Sequence, residues 1–329
     1  MGATKLCLFA AALGAVGCGG SSGGGADDSP SAALGAKCEA LSAMAAPETP
    51  TVKGTVFTIV MENRDRDEII GNKKAPYINS LASQYAQAAN YHDAFVHPSE
   101  ANYIWMASGQ NFGVLDDNDP SAHSLDSQSH LVDQLEEAGI TWRSYQESMG
   151  APCGLKSHGR YAAKHNPFVF FSDVNGWDGT KFQPSERCNQ HVVDYSELGN
   201  DIAANNVPDY AFITPNLDND MHDGTIAEGD AWLATEVPKL MATDAYQKGG
   251  VIFILWDEGS GSPKGDTPPF LAISKFAKSG YSAQASYDHS SYLKTVEALF
   301  GIAALPCDSA REEVSVMSDL FNSEMFAQQ

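Results

Sequence analysis

The stretch Thr55-Val56-Phe57-Thr58-Ile59-Val60-Met61-Glu62-Asn63 runs from β-branched and apolar residues directly into a carboxylate and an amide. Two further runs repeat the pattern. Tyr210-Ala211-Phe212-Ile213 passes into Thr214-Pro215-Asn216, Asp218, Asp220 and His222, and Gly250-Val251-Ile252-Phe253-Ile254-Leu255-Trp256 passes into Asp257-Glu258-Gly259. Short runs of this composition read as buried strands of a parallel sheet. Ligands of such sheets bind in the crevice beyond the carboxyl ends of the strands. Three strand ends would therefore gather Glu62, Asp218, Asp220, Asp257 and Glu258 in one place, where like charges repel. A bound metal cation is the simplest source of compensating charge.

The 329 residues are enough for one large core or two small ones. The chain carries 42 Asp and Glu against 20 Lys and Arg, a net charge of -22. This balance argues against a nucleic-acid surface, which needs clustered Lys and Arg. Residues 1–17 read as an export signal, with Lys5 as the positive start, Leu6 to Gly14 as the apolar stretch and Ala15-Val16-Gly17 as the small-residue run. The stretch is too short for a spanning helix. Cys18 follows, and the segment resembles the lipobox of bacterial lipoproteins, with Ala15 where Leu is usual. That resemblance implies an acylated Cys18 and an exported, membrane-anchored protein that touches the membrane only through its lipid; plain secretion is the alternative. Gly19 to Gly25 opens a flexible tether over residues 18–50. Of the cysteines beyond Cys18, Cys38, Cys153, Cys188 and Cys307, an exported chain is expected to form two disulfides. Three pairings are possible. Cys153–Cys188 would staple one loop-rich segment while Cys38–Cys307 ties the ends of the domain, and buried free thiols are the alternative.

From Val52 to about Leu305 strand-like and helix-like stretches alternate, so a single α/β domain is expected over residues 51–310, with 311–329 as a tail. Helices are expected over Ala75–Ala89, Ser129–Ala138, Gly229–Leu240 and Ser290–Phe300, and a strand over Ile140–Tyr145. Residues 146–192, rich in Gly, Pro, Asn and aromatics, read as an inserted loop or cap. Between the first strand and the rest lies His97-Pro98-Ser99-Glu100-Ala101-Asn102-Tyr103. A serine entering a helix sits near backbone N–H groups that welcome an anion, although most such serines only cap the helix.

Taken together, Met61-Glu62-Asn63, Pro98-Ser99-x-x-Asn102-Tyr103, Pro215-Asn216 with Asp220-Met221-His222-Asp223, Trp256-Asp257-Glu258-Gly259 and Tyr287-Asp288-His289 resemble the phosphoesterase family of bacterial acid phosphatases and phospholipases C, a branch of the alkaline phosphatase superfamily. The resemblance covers roughly residues 56–305. It implies a three-layer sandwich with a mostly parallel central sheet, and hydrolysis of a phosphate-ester substrate; the chain is expected to be a monomer. It further implies that Glu62 and Asn63 bind a divalent metal beside Asp257 and Glu258, that Ser99 is the nucleophile, and that Asn102 holds a phosphate oxygen. His222 and His289 would face the same phosphate, as ligands of a second metal with Asp220 or Asp218, or as hydrogen-bond donors. His165 would line the substrate cleft. Oxygen donors suit Mg, Ca or Mn better than Zn.

Close relatives often carry Leu-Pro where this chain has Glu100-Ala101, and an extra carboxylate beside a phosphate site repels substrate unless it points away or binds metal. Each motif also has a plainer reading: a surface turn for Asp257-Glu258-Gly259, a helix start for Glu62-Asn63, and structural roles for His165, His222 and His289. Gly259 to Lys264 lacks the Gly-Lys-Ser/Thr ending of a nucleotide loop. The competing functions are a metal-independent Ser-His-Asp ester hydrolase, which lacks the Gly-x-Ser-x-Gly elbow, and a non-catalytic surface lipoprotein that binds a partner.

Overall fold

The three buried runs become adjacent parallel strands at the centre of one eight-stranded sheet, seen in a computed structural model that describes residues 51–126, 128–261, 266–305 and 309–326. The expected signal, Cys18, the tether, and the Cys38–Cys307 pairing lie outside the described residues. The strands are β1 (Val56–Met61), β2 (Ala86–Tyr91), β3 (Trp142–Gln146), β4 (Val192–Asp194), β5 (Tyr210–Thr214), β6 (Val251–Trp256), β7 (Phe270–Ile273) and β8 (Ser282–Tyr287). Their order is β4-β3-β5-β1-β6-β7-β2-β8, parallel throughout except where β7 pairs with its two neighbours.

Four helices do most of the covering: α1 (Pro76–Gln84), α2 (Ser99–Ser108), α3 (Ile226–Met241) and α4 (His289–Phe300). Successive strand residues point to opposite faces, so each central strand feeds two cores. Val56 and Val60 of β1, Phe253 and Leu255 of β6, and Tyr210 and Phe212 of β5 pack with Tyr103 and Ile104 of α2 and Leu293 and Val296 of α4. Phe57, Ile59, Ile252, Ile254, Ala211 and Ile213 pack on the other face with Ile78 and Leu81 of α1 and Leu233 and Val237 of α3. This is the expected three-layer α/β sandwich, and it explains why the three runs are apolar without alternation. Thr58 is the polar exception in β1. Its hydroxyl lies 2.8 Å from that of Tyr292, which lies 3.0 Å from that of Tyr210, so β1, α4 and β5 share one satisfied hydroxyl chain.

The helix expected over Ala75–Ala89 ends at Gln84, and Ala86–Tyr91 is a strand. Alanine-rich composition favours a helix, but β2 fills the slot between β7 and β8, and pairing on both sides outweighs local propensity. The segment from 147 to 191 adds no strand to the sheet. It holds 3-10 turns at Ala163–His165 and Pro167–Phe170 and short helices at Ser172–Asn175 and Glu186–His191. It is nevertheless more than a cap, because Phe168, Val169, Phe170 and Phe171 are fully buried in the core. Residues expected as a tail also pack there: Met317, Leu320, Phe321 and Met325 are buried, and Lys278 N–H donates to Leu320 O at 2.9 Å. Among the described residues no helix is long and apolar enough to cross a membrane.

Cys153 and Cys188 are joined, with Cα atoms 5.3 Å apart and a sequence separation of 35. Replacing both by serine should lower unfolding free energy by about 2–4 kcal/mol through the freed loop entropy. Urea titration of the variant against the oxidised parent measures this, and coincident curves would show that the bridge constrains nothing.

Candidate active site

Parallel pairing of β1 with β6 sets Met61 opposite Trp256, so Glu62 and Asp257 leave the sheet side by side. β5 flanks β1 on the other side, and the chain beyond it returns so that Glu62 N–H donates to Asp220 O at 2.8 Å. Asn63 N–H donates to Asp257 Oδ1 at 3.1 Å, tying the first two strand ends together. Asn63 and Met221 have positive φ, 32° and 85°, a region that non-glycine residues occupy at a cost. The Arg64 guanidinium spans both, donating to Asn63 O at 2.8 Å and Met221 O at 2.9 Å. Gly259 completes the third motif for steric reasons: a Cβ there would lie 2.4 Å from Asp65 Oδ1.

Ser99 is the first residue of α2, whose other end stops at Gly109 with φ 76°. Its hydroxyl lies 3.1 Å from Glu62 Oε2 and 3.4 Å from Glu258 Oε1. Asn63 Nδ2 donates to Glu258 Oε1 at 2.7 Å and approaches Ser99 Oγ at 3.4 Å. Asn102, one turn on, donates to Glu258 Oε2 at 3.1 Å and to Val96 O at 2.8 Å, and accepts from Ala94 N–H at 3.1 Å. Asn102 therefore fixes both Glu258 and the loop that delivers Ser99. The start of a ten-residue helix adds outward-facing N–H groups to this corner.

His165, from the segment read as a cap, is fully drawn in. Its ring stacks on Tyr103 at 4.9 Å, with Nε2 3.1 Å from Glu62 Oε1 and Nδ1 3.5 Å from Asp220 Oδ2. His222 N–H donates to Asp220 Oδ1 at 2.7 Å, and its Nδ1 lies 2.8 Å from Asp223 Oδ1. Glu62, His165 and His222 each offer a ligand atom within 4.8 Å of the others'. Asp218 does not join them. The Asn216 side chain takes the Asp218 N–H into a turn, and the carboxylate points out to Arg160 Nε at 2.9 Å. His289 is buried behind the site instead of facing it: Nδ1 meets Tyr91 Oη at 2.7 Å and Nε2 the main-chain oxygen of Asp257. His97, which the sequence reading left without a role, bridges Glu258 Oε2 at 2.7 Å and Asp266 Oδ2 at 2.6 Å. Its place two residues before Ser99 was the one available signal.

Glu62, Asp220 and Asp257 are fully buried and Glu258 nearly so. Loss of water raises Asp257 to about 6 and Glu258 to about 9, and holds Glu62 and Asp220 well above the carboxylate range, each helped by the charge of Asp257. Burial also lowers His165 well below the usual imidazole value and His289 to about 4. The ion pairs of Glu62, Asp220 and Glu258 are to histidines, and the nearby Lys164 is held by Asp117 at 2.6 Å. Glu62 Oε1, Asn63 Oδ1, Asp220 Oδ2, Asp257 Oδ2 and His165 Nε2 are shut from solvent without a hydrogen-bond partner. Lys164 is the one basic side chain among the described residues whose charge reaches Glu62, Asp220 and Asp257, and it is shared with Asp117, so these unpartnered atoms fit a divalent cation as the further source of positive charge.

Because their folded values are raised, these carboxyls favour the folded, metal-stripped protein most below about pH 4, where they are protonated in both states. That contribution should fall as pH rises through about 6 for Asp257, and further toward about 9 for Glu258. Thermal melts in chelator at about pH 5, 7 and 9 should show falling midpoints, restored most strongly at high pH by added divalent cation. A midpoint that climbs from pH 5 to 9 in chelator would sink this account.

Residues 71–303 match the model of the Phosphoesterase family. Over 261 residues the chain is 33% identical to a phosphatidylinositol-3-phosphatase of Mycobacterium tuberculosis, covering 79% of this chain and 80% of that protein. It is 31% identical over 210 residues to a probable acid phosphatase of Kluyveromyces lactis, covering 61% of this chain and 47%, about half, of the yeast protein. Among solved structures, an alkaline phosphatase superfamily protein from Vibrio parahaemolyticus aligns with a TM-score of 0.53 at 12% identity over 82% of this chain and 76% of its own, a likeness of fold. With the family model spanning most of the domain and the strand-end motifs assembled at one point, this chain belongs to the phosphoesterase family.

Proposed function

We propose that this protein hydrolyses phosphoric esters, with Ser99 as nucleophile and a divalent cation held by Glu62, Asn63, Asp257 and Glu258. The observation that carries the reading is the position of the Ser99 hydroxyl, between two buried carboxylates and at the start of a helix, beside buried oxygens left without a hydrogen-bond partner. When bound, the cation supplies Lewis-acid neutralisation of the phosphoryl group and lowers the pKa of the serine hydroxyl.

Ser99 Oγ attacks as the alkoxide, its proton released to solvent, and bonds to phosphorus as the ester P–O bond breaks. The leaving oxygen takes a proton from His222, which is exposed at the rim with Nδ1 turned to Asp223. Water then attacks the phosphoserine, restoring the hydroxyl and releasing phosphate. N–H groups at the start of α2 face the phosphoryl oxygens, and Asn102 keeps Glu258 in place. His289 is a positioning residue that steadies Asp257 through its main-chain oxygen. The oxygen donors suit Mg, Ca or Mn, and His165 with His222 beside Glu62 adds nitrogen donors better matched to Zn. Two relatives named as phosphatases support a phosphomonoester as substrate. The Ser-His-Asp alternative finds less support, because the Ser99 hydroxyl meets Glu62, Glu258, Asn63 and Asp257 and no histidine among the described residues. Export and anchoring through Cys18, and a monomeric state, belong to the same reading and rest on the sequence alone.

Turnover of p-nitrophenyl phosphate should disappear with chelator and return with added cation, and should exceed turnover of the bis-ester. Ser99→Ala should lose on the order of a thousandfold or more in kcat while still binding metal. Asp257→Asn should lose both metal and turnover. Full activity in chelator would favour the metal-independent hydrolase, and absence of turnover on every phosphate ester would favour a binding role.

A further inference from the structure

Glu100 follows the proposed nucleophile directly, yet its side chain takes no part in the cluster around Ser99. It is 0% exposed, and both carboxylate oxygens are shut from solvent without a hydrogen-bond partner. Protonation would not satisfy it, because a neutral acid brings a buried O–H that also needs an acceptor. The side chain is aimed at the loop after α2, where Glu100, Asp116 and His123 offer ligand atoms all within 4.8 Å of one another. The loop shapes this meeting point itself. Asp116 Oδ1 accepts from Asn118 N–H at 3.0 Å and from Asn118 Nδ2 at 2.7 Å, and lies 2.7 Å from His123 Nε2. Asp117 borders the same corner, its Oδ1 accepting from Glu100 N–H at 3.2 Å while its Oδ2 holds Lys164 at 2.6 Å, and Asp119 accepts from the Ser157 hydroxyl at 2.7 Å.

We propose that Glu100, Asp116 and His123 form a second cation site, separate from the strand-end cluster, that takes a first-row divalent ion such as Mn2+ or Zn2+. Two carboxylates and one imidazole are a donor set such ions accept, with water completing the shell. Ligand atoms about 2.1 Å from one centre lie within about 4.2 Å of each other, so small side-chain movements close the site. Two other clusters differ in kind. His130, Asp133 and Asp173 already hold Arg187, which contacts both acids, and Asp93, His97 and Asp266 adjoin Glu258. A cation on Glu100 would clamp the loop from Asp116 to His123 onto the helical turn that carries Ser99. It would also neutralise a carboxylate one residue from a site built for anions.

The test uses the full chain, stripped by chelator and titrated with Mn2+, with free Mn2+ followed by electron paramagnetic resonance. Asp257→Asn provides a background without the first site, so failure here is distinguishable from failure of the proposed function. The Asp257→Asn protein should still bind one Mn2+ and melt at a higher temperature when it does. Adding His123→Ala or Asp116→Asn, both at partly exposed positions, should weaken that binding by at least about tenfold and abolish the melting shift. Glu100→Gln should do the same, and if it fails to fold the other two variants decide. Unchanged stoichiometry and melting shift in the His123→Ala and Asp116→Asn proteins would overturn the proposal.

Discussion

Mutual repulsion among carboxylates withdrawn from water is the constraint around which this molecule is arranged. Glu62, Asp220, Asp257 and Glu258 meet at the ends of three adjacent strands, where burial makes each charge costly and each neighbour makes the next costlier. An arrangement of this kind persists only if the surrounding structure over-determines it. Much of the local architecture does so. Arg64 clasps two main-chain turns with positive φ, Asn63 and Asn102 hold Glu258 from two sides, and His289 fastens Asp257 from behind.

The frame beneath is correspondingly stiff. β1 and β6 are buried on both faces, and their parallel pairing leaves Glu62 and Asp257 no freedom to separate. α2 is buried almost along its whole length, so the Ser99 hydroxyl is placed by the packing of Tyr103, Ile104 and Ala107 as much as by its own contacts. Preorganisation of this sort favours phosphoryl transfer, which asks mainly for in-line positioning and fixed electrostatics. Glu100 shows the other side of the same economy: one residue from the nucleophile, its charge is turned away and met by a separate loop.

How much of this was legible beforehand differs from residue to residue. Met61-Glu62-Asn63 and Trp256-Asp257-Glu258 could be read because an apolar run that stops at an acid marks both the strand and its chemically useful end. Asn102 was legible from its spacing to Ser99, though the structure gives it Glu258 to hold. Asp218 looked as suitable as Asp220, and only the Asn216 turn shows that one faces Arg160 and the other the site. His97 carried no signal beyond its place two residues before Ser99.

The sequence by itself determined the class of architecture, the central strands and the motifs at their ends, because hydrophobic runs and their polar terminators are local properties of the chain. Tertiary structure alone decided that Ala86–Tyr91 would be a strand, that His165 would enter the site from a loop-rich segment, and that His289 would stand behind Asp257. It also decided which way Glu100 would turn. Those outcomes depend on what lies opposite each residue across the fold, and a linear pattern contains no record of its partners in space.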